Sequence, residues 1–270
     1  MWSPEQYRHY ADERRRPFLE LLNRIDAVAP SYVVDLGCGP GALTKILLGR
    51  WPTATIEGID SSPEMIRAAQ EFVRPGLSFE LGDIAAWTPR RPVDVLMSNA
   101  ALHWVPGHLE LLPRLIEGIV PGGWFAFQVP GNFDSPSHTL LHDLRNSSRW
   151  RPLVGDDRVP GAGSAAPAEY LARLIDLGCS VDAWETTYLH VLPGEDAVLD
   201  WVKGTALRPV LDALGEGEDQ AAFVAEYAAA LRAAYPRHPY GTVFPFRRIF
   251  VVARISPAAG PRRNALRSDR

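Results

Sequence analysis

Short apolar runs and amphipathic stretches alternate through the first half of the chain. Five runs rich in β-branched and aromatic residues predict strands, at 32–36, 54–59, 77–81, 93–97 and 124–129. Three stretches between them have the apolar spacing of helices, at 42–50, 61–73 and 108–119. Strands that alternate with helices in this way predict a doubly wound α/β fold with a mostly parallel sheet.

The second half of the chain has a different pattern. Residues 131–163 are rich in proline, glycine and serine, which predicts a long loop around one helix. After a predicted helix that Gly178 ends, two further strands are predicted, at 180–192 and 244–255. The alanine-rich stretch between these strands predicts a helical insertion, broken at Gly204, Pro209 and 215–217.

These patterns divide the chain into four parts. Residues 1–30 are predicted to form an N-terminal helical flap, and residues 257–270 a flexible tail. The α/β core is predicted to consist of residues 31–130, 179–192 and 243–256. Helical cap segments are predicted at 131–178 and 193–242.

The composition is that of an ordinary globular protein. Of the 270 residues, 46% are hydrophobic and 22% are charged, which excludes a chain that is disordered as a whole. Two cysteines are too few for a disulfide scaffold, and a net charge of −4 argues against a nucleic-acid partner. No apolar run approaches the roughly 20 residues that span a bilayer, and no secretory signal pattern is present. We therefore expect a cytoplasmic protein without a membrane partner.

A glycine-rich loop follows the first predicted strand. Residues 37–41 read Gly-Cys-Gly-Pro-Gly, at the strand end where open α/β sheets bind ligands. Asp60 follows the second strand, 19 residues after Gly41. This spacing fits a nicotinamide dinucleotide and a methionine-derived cofactor equally well, so it does not distinguish between them.

Three further features favour the methionine-derived cofactor. Asp35, two residues before the first glycine, would repel a pyrophosphate but suits a cationic amino-acid group. Residues 82–84 (Gly-Asp-Ile) place an acceptor and an apolar side chain where an adenine could lie, and residues 121–123 (Pro-Gly-Gly) precede the fifth strand. A nicotinamide dehydrogenase is therefore the weaker interpretation.

Together these motifs resemble those of the class I S-adenosylmethionine-dependent methyltransferases. The resemblance implies a seven-stranded sheet whose last strand is antiparallel, with S-adenosylmethionine bound and S-adenosylhomocysteine released. It implies that Asp60 binds the ribose hydroxyls and that Asp83 and Ile84 hold the adenine. The full set of predicted cofactor-binding residues is Asp35, Gly37, Cys38, Gly39, Gly41, Asp60, Ser61, Met65, Asp83, Ile84 and Asn99.

A second group of motifs narrows the resemblance and extends it over nearly the whole chain. Residues 98–105 (SNAALHWV), 201–209 (WVKGTALRP) and 244–253 (FPFRRIFVVA) resemble segments of small-molecule carboxyl methyltransferases, in particular the trans-aconitate methyltransferases. This implies transfer of a methyl group to one carboxylate of trans-aconitate, a tricarboxylate. The oligomeric state stays open between a monomer and a weak homo-oligomer.

The chemistry of a carboxylate acceptor fits a sequence without an evident general base. A carboxylate is already ionised at pH 7, so it can attack the sulfonium methyl directly. Catalysis then rests on alignment and on the exclusion of water. Asn99 and His103 are predicted to line the transfer site, and no residue is assigned as a dedicated catalyst. His103 would serve as a base only for a phenol or an amine.

Arginine suits the carboxylates that do not react, because its planar fork pairs with both oxygens. Arg208 and Arg248 are the first candidates for this role. The full set of predicted substrate-binding residues is Trp104, Trp201, Lys203, Arg208, Arg247 and Arg248. The histidines and cysteines lack the spacing of a zinc site, so we predict no metal. Two alternatives stay open: a methyltransferase for another small acid or a carrier-bound malonyl group, and a cofactor-binding protein without catalysis.

Overall fold

The computed structural model describes residues 11–155 and 163–257. Most of the predicted tail and the first ten residues of the predicted flap lie outside the described residues. The strands are β1 (Tyr32–Leu36), β2 (Thr55–Asp60), β3 (Leu77–Leu81), β4 (Val93–Asn99), β5 (Ile119–Pro130), β6 (Cys179–Leu192), β7 (Arg237–His238) and β8 (Gly241–Ile255). The α-helices are α1 (Ala11–Asn23), α2 (Thr44–Arg50), α3 (Pro63–Ala69), α4 (His108–Glu117), α5 (Pro136–Arg145), α6 (Arg151–Val154), α7 (Pro167–Asp176), α8 (Ala197–Lys203), α9 (Arg208–Leu214) and α10 (Glu218–Ala234).

All the strands belong to one sheet. The order is β3-β2-β1-β4-β5-β8-β6, and the two-residue β7 pairs with β8. The first five strands are parallel, whereas β8 runs antiparallel to both β5 and β6. The predicted doubly wound fold with an antiparallel last strand is thereby confirmed, and β7 adds a short eighth strand.

Three local predictions were wrong. The Pro-Gly-Gly motif at 121–123 does not precede β5 but lies within it, where Gly122 has φ +82° and the pairing with β4 shifts register. Glycine accepts this conformation, so the strand continues through a bulge. In the described part of the loop predicted at 131–163 there are two helices, α5 and α6, where one was expected. Pro209 lies in the first turn of α9 instead of breaking a helix, because a residue there needs no N–H for the helical hydrogen bonds.

Apolar side chains on the two faces of the sheet form two cores. One face packs against α4 and α7, and the other packs against α1, α2 and α3. A third core joins α5, α8, α9 and α10 to the first half of β8. The helical insertion between β6 and β8 therefore has its own apolar interior. None of the described helices is both long and apolar enough to cross a membrane.

Helix α1 is held on the sheet by one carboxylate. Glu20 accepts hydrogen bonds from the Tyr188 hydroxyl (2.5 Å), the Thr186 hydroxyl (2.8 Å) and the Trp184 Nε1 (3.1 Å). Burial alone would raise the pKa of Glu20, but these hydrogen bonds and the nearby Arg16 outweigh it and lower the pKa. Hydrogen bonds to a charged group are strong, so they fix α1 on the face of the sheet that it shares with α2 and α3.

Candidate active site

A cleft of about 400 Å³ opens at the carboxyl ends of β1 to β4. Its position is the one expected for a ligand site in a parallel sheet, because the strand order reverses beside β1. Trp104 lies in its wall, as do residues 99–101, which follow β4. The predicted cofactor-binding residues that line it are Gly37, Gly39, Asp60, Ser61, Met65, Asp83, Ile84 and Asn99.

The loop after β1 needs its first glycine for two reasons. Gly37 has φ +79°, and a Cβ atom there would lie 2.0 Å from the Cβ of Ala101. The Gly37 and Cys38 amides both donate to the Ile59 carbonyl, at 2.7 Å and 3.0 Å. The loop is thereby packed between β2 and the segment after β4. Gly39 also has a positive φ, of +56°, but a Cβ atom there would meet no atom within 4 Å.

This difference gives a matched pair of variants. Gly37→Ala is expected to lower the free energy of unfolding by about 2–4 kcal/mol, because backbone strain and an overpacked contact add together. Gly39→Ala is expected to cost only about 1 kcal/mol, from backbone strain alone. Urea denaturation of both variants measures the difference. Equal losses would show that the close approach of Ala101 relaxes freely.

Two predicted residues contribute to the loop without lining the cleft. The Cys38 side chain lies in the sheet core with Phe79, and burial raises the pKa of its thiol. Gly41 lies against the same ring, where a Cβ atom would be 2.7 Å from the Phe79 Cζ. Both residues therefore shape the loop through its packing.

Asp60 joins the loop after β1 to the start of α3. Its Oδ2 accepts from the Gly39 amide and its Oδ1 from the Ser62 amide, both at 2.9 Å. Burial raises the pKa of Asp60, although the backbone hydrogen bonds act in the opposite direction. Each carboxylate oxygen has a second lone pair, so Asp60 keeps acceptor capacity for the hydroxyls of a ligand.

Asp35 is a buried carboxylate just below the glycine loop. It is 2% exposed, and its Oδ2 accepts a hydrogen bond of 2.6 Å from the Thr44 hydroxyl. Its Oδ1 has no hydrogen-bond partner within the part of the chain that the structure describes. Burial raises the pKa of Asp35 to about 6, the Thr44 hydrogen bond lowers it and the charge of Asp60 raises it. An anionic oxygen buried in this way fits a cationic group on a ligand.

A row of polar side chains continues along the same face of the sheet. Asn99 at the end of β4 is in register with Gln128 on β5, and Arg248 on β8 donates from Nη1 to the Gln128 Oε1 at 3.3 Å. Gln128 is fully buried and Arg248 is 5% exposed.

The residue after Asn99 has a strained backbone. Ala100 has φ +55°, a conformation rare for a residue other than glycine, and its amide donates to the Gln128 carbonyl. Such strain is concentrated at functional sites.

The sequence analysis missed Gln128. The signal was present, since Gln128 is the one polar residue in the apolar run 124–129. A fully buried strand position seldom holds an amide without a use for it.

Comparison with known proteins identifies the family. A family model described as a methyltransferase domain matches residues 33–123. The trans-aconitate 2-methyltransferase of Streptomyces avermitilis is 53% identical over 259 residues, which are 93% of this chain and 96% of that protein. This chain belongs to the trans-aconitate 2-methyltransferase family. The family member of Rhodococcus jostii is 54% identical, over 94% of this chain and all of that protein.

The predicted enzyme class is thereby confirmed: the chain is an S-adenosylmethionine-dependent methyltransferase. A solved structure of the YcgJ protein of Bacillus subtilis has the same fold, with a TM-score of 0.57 at 14% identity, over 89% of this chain and 98% of that one.

His103 of this methyltransferase is uncharged at physiological pH. It is 4% exposed, and its ring lies 4.8 Å from that of Trp104. Burial lowers the pKa of His103 to about 3, helped by the positive charge of Arg248. A group with so low a pKa accepts protons poorly, so His103 is a weak general base, and it is buried behind the cleft wall instead of lining the cleft.

The predicted substrate-binding cations have different surroundings. Lys203 pairs with Asp200 (3.0 Å) and Arg208 with Asp212 (3.1 Å), each within its own helix. Arg247 pairs with Glu185 of β6 at 2.5 Å and also donates to the Gly131 carbonyl. Arg248 has the opposite orientation on β8 and is buried beside Gln128.

Trp201, the remaining predicted substrate-binding residue, packs against Phe244 and Phe246 in the third core, not in the cleft. Among the described residues, no group of three or more His, Cys, Asp or Glu side chains could hold a metal.

Proposed function

We propose that this enzyme transfers the methyl group of S-adenosylmethionine to a carboxylate of trans-aconitate, forming a monomethyl ester and S-adenosylhomocysteine. The relatives that bear the name of this activity support the substrate. In the structure, one observation carries the proposal: the buried guanidinium of Arg248 lies in the polar row that starts at Asn99 in the cleft wall. A buried cation beside neutral amides suits an anionic substrate.

The cleft fits the cofactor. When bound, S-adenosylmethionine supplies an electrophilic methyl group on a sulfonium. We assign the ribose hydroxyls to Asp60, which has acceptor capacity to spare. The adenine is assigned to Asp83 and Ile84 on the far side of the cleft, and the ammonium group to the Oδ1 of Asp35.

The proposed reaction needs no general base. A carboxylate with an ordinary pKa near 4 is ionised at pH 7 and has no proton to give up. The low pKa of His103 supports this mechanism, because an imidazole that accepts a proton so poorly is a weak base. The enzyme's own residues then have two tasks, to hold the carboxylate oxygen in line and to exclude water.

Arg248 is assigned to a carboxylate that does not react. A guanidinium beside the attacking oxygen would stabilise its charge and lower its nucleophilicity. Held on a distal carboxylate, the same guanidinium orients the substrate without that penalty. Clamp roles for Lys203, Arg208 and Arg247 stay predictions, since each has an acidic partner of its own.

The segments around the cleft are assigned by the same reasoning. We assign residues 31–130, 179–192 and 243–256 to the cofactor-binding core. The predicted cap segments 131–178 and 193–242 are assigned to the substrate side, except for α7, which packs on the sheet, and residues 1–30 are assigned to a flap. The apolar core shared by α5, α8, α9 and α10 supports a cap that moves as one unit.

Turnover of defined acids tests the proposal. The purified protein is incubated with S-adenosylmethionine and trans-aconitate, and in parallel with cis-aconitate, citrate and isocitrate. Mass spectrometry quantifies S-adenosylhomocysteine and the ester, and the fragment pattern names the esterified carboxylate. We expect trans-aconitate to be the strongly preferred acceptor. No turnover while the cofactor still binds would exclude trans-aconitate and favour another small acid or a carrier-bound malonyl group.

A further inference from the structure

Gln128 has an orientation that is fixed by its neighbour. The Arg248 guanidinium only donates hydrogen bonds, so the Gln128 atom that faces Nη1 at 3.3 Å is the carbonyl oxygen. The amide nitrogen therefore points away from Arg248. That nitrogen is buried and has no hydrogen-bond partner among the residues that the structure describes. Two N–H donors are thus available at one side of the guanidinium.

The adjacent strand carries an acceptor in the same condition. Asn99 is the register partner of Gln128, and its Oδ1 is likewise buried without a partner in the described part of the chain. A donor and an acceptor on neighbouring strands would normally bond to each other, since an unsatisfied buried polar group is costly. The geometry leaves both open. Asn99 lies in the cleft wall, so its acceptor belongs to the cofactor side, and Gln128 is one strand farther along.

The chemistry of the open donors selects an anion. A cation and a neutral N–H₂ group side by side match the two oxygens of a carboxylate. Two further polar groups interact electrostatically with Arg248: the imidazole of His103 is neutral, and the hydroxyl of Tyr188 already donates to Glu20. Asn132, two residues beyond β5, also has both amide atoms buried without partners among the described residues.

We propose that Gln128 is a specificity-determining residue, whose Nε2 donates to the same distal carboxylate of the acid substrate that Arg248 binds. This inference rests on the proposed function and deepens it. Gln128 then distinguishes an acid that carries this carboxylate from one that lacks it. The acid that lacks this carboxylate would still be methylated, but without the hydrogen bond from Gln128.

Substrates that each lack one carboxylate test the inference. Glutaconate, mesaconate and itaconate are each trans-aconitate without a different one of its three carboxyl groups. In Gln128→Met, which keeps the size of the side chain, kcat/KM for trans-aconitate is expected to fall about 10-fold to 100-fold, mainly through KM. For the dicarboxylate that lacks the bound carboxylate, the fall is expected to be less than about threefold. The affinity for S-adenosylhomocysteine should be unchanged.

The chain offers a matched control. Ser98 is equally buried on the neighbouring strand and donates to the Leu36 carbonyl at 2.8 Å, on the opposite face of the sheet. Ser98→Ala should leave the discrimination between the four acids at the wild-type value. Equal losses of Gln128→Met on all four acids, or no loss on any, would overturn the inference and assign Gln128 to structure.

Binding separates this inference from the proposed function. If the wild-type enzyme turns over none of the four acids, the proposed function fails. Isothermal titration of each acid into the complex with S-adenosylhomocysteine then decides the role of Gln128. Trans-aconitate binding that is at least about 10-fold weaker in Gln128→Met supports the inference. Equal affinities, or no binding of any acid to the wild type, overturn it.

Discussion

Replacing Asp35 with asparagine is expected to weaken the binding of S-adenosylmethionine by about 30-fold or more while it stabilises the ligand-free protein at neutral pH. The loss of affinity follows because the ligand's ammonium group would face a neutral amide in a buried site, and removing one member of such a pair costs about 2–5 kcal/mol. The gain in stability follows because the carboxylate is buried with one oxygen unpartnered. Its removal relieves the desolvation of a charge.

The effects of Asp35→Asn on stability and on cofactor affinity both depend on pH. The pKa of Asp35 is about 6 in the folded protein, above the ordinary value of 3.8, so this group's contribution to stability is present at low pH and is lost as the pH rises through 6. Asp35→Asn should therefore raise Tm by roughly 3 °C or more at pH 7.5 and by little at pH 4. Cofactor binding has the opposite trend, because the carboxylate must first lose its proton.

Two measurements check this. Calorimetric titration of the wild type with S-adenosylhomocysteine should give a Kd that rises about tenfold per pH unit below 6, and Asp35→Asn should show no such rise. Thr44→Val removes the hydrogen bond that lowers the pKa of Asp35, so it should move the midpoint to higher pH. Wild-type affinity in Asp35→Asn would show that Asp35 serves the fold and not the ligand.

Much of the cleft could be predicted because its residues follow strands directly. Asp60 ends β2 and Asp83 comes two residues after β3, so their places at the sheet edge depend only on locating parallel strands. The buried face of each strand was also predictable from its apolar run. For these residues, one local sequence pattern determines both the strand and the position of the side chain at its end.

The substrate side could not be predicted in this way, because it depends on partners far away in the sequence. Arg208 and Arg247 look alike in the sequence, but Asp212 and Glu185 determine where their guanidinium groups lie. The bulge at Gly122 depends likewise on the register with β4. Gln128 becomes noticeable only when Arg248 is placed beside it, 120 residues later in the chain.

Arg248→Met is expected to lower kcat/KM for trans-aconitate by about 100-fold to 1000-fold. The substitution removes a buried guanidinium from a carboxylate, and truncation of one partner of a buried charge pair costs about 2–5 kcal/mol. Arg248→Lys keeps the charge but loses the planar fork, so an intermediate loss of about 10-fold is expected. Affinity for S-adenosylhomocysteine should change by less than about twofold, because the cofactor is assigned to the other end of the polar row.

The adjacent arginine, Arg247, is the control for this experiment. Arg247 has the same side chain one position earlier, on the opposite face of β8, and its guanidinium is bound to Glu185 at the surface. Exposed ion pairs contribute about 0–1 kcal/mol, so Arg247→Met should change kcat/KM by less than about threefold. Steady-state kinetics and Tm are measured for both variants. Equal losses would place the substrate carboxylate elsewhere, whereas a loss confined to Arg248 at a near-wild-type Tm ties substrate recognition to the buried face of the strand.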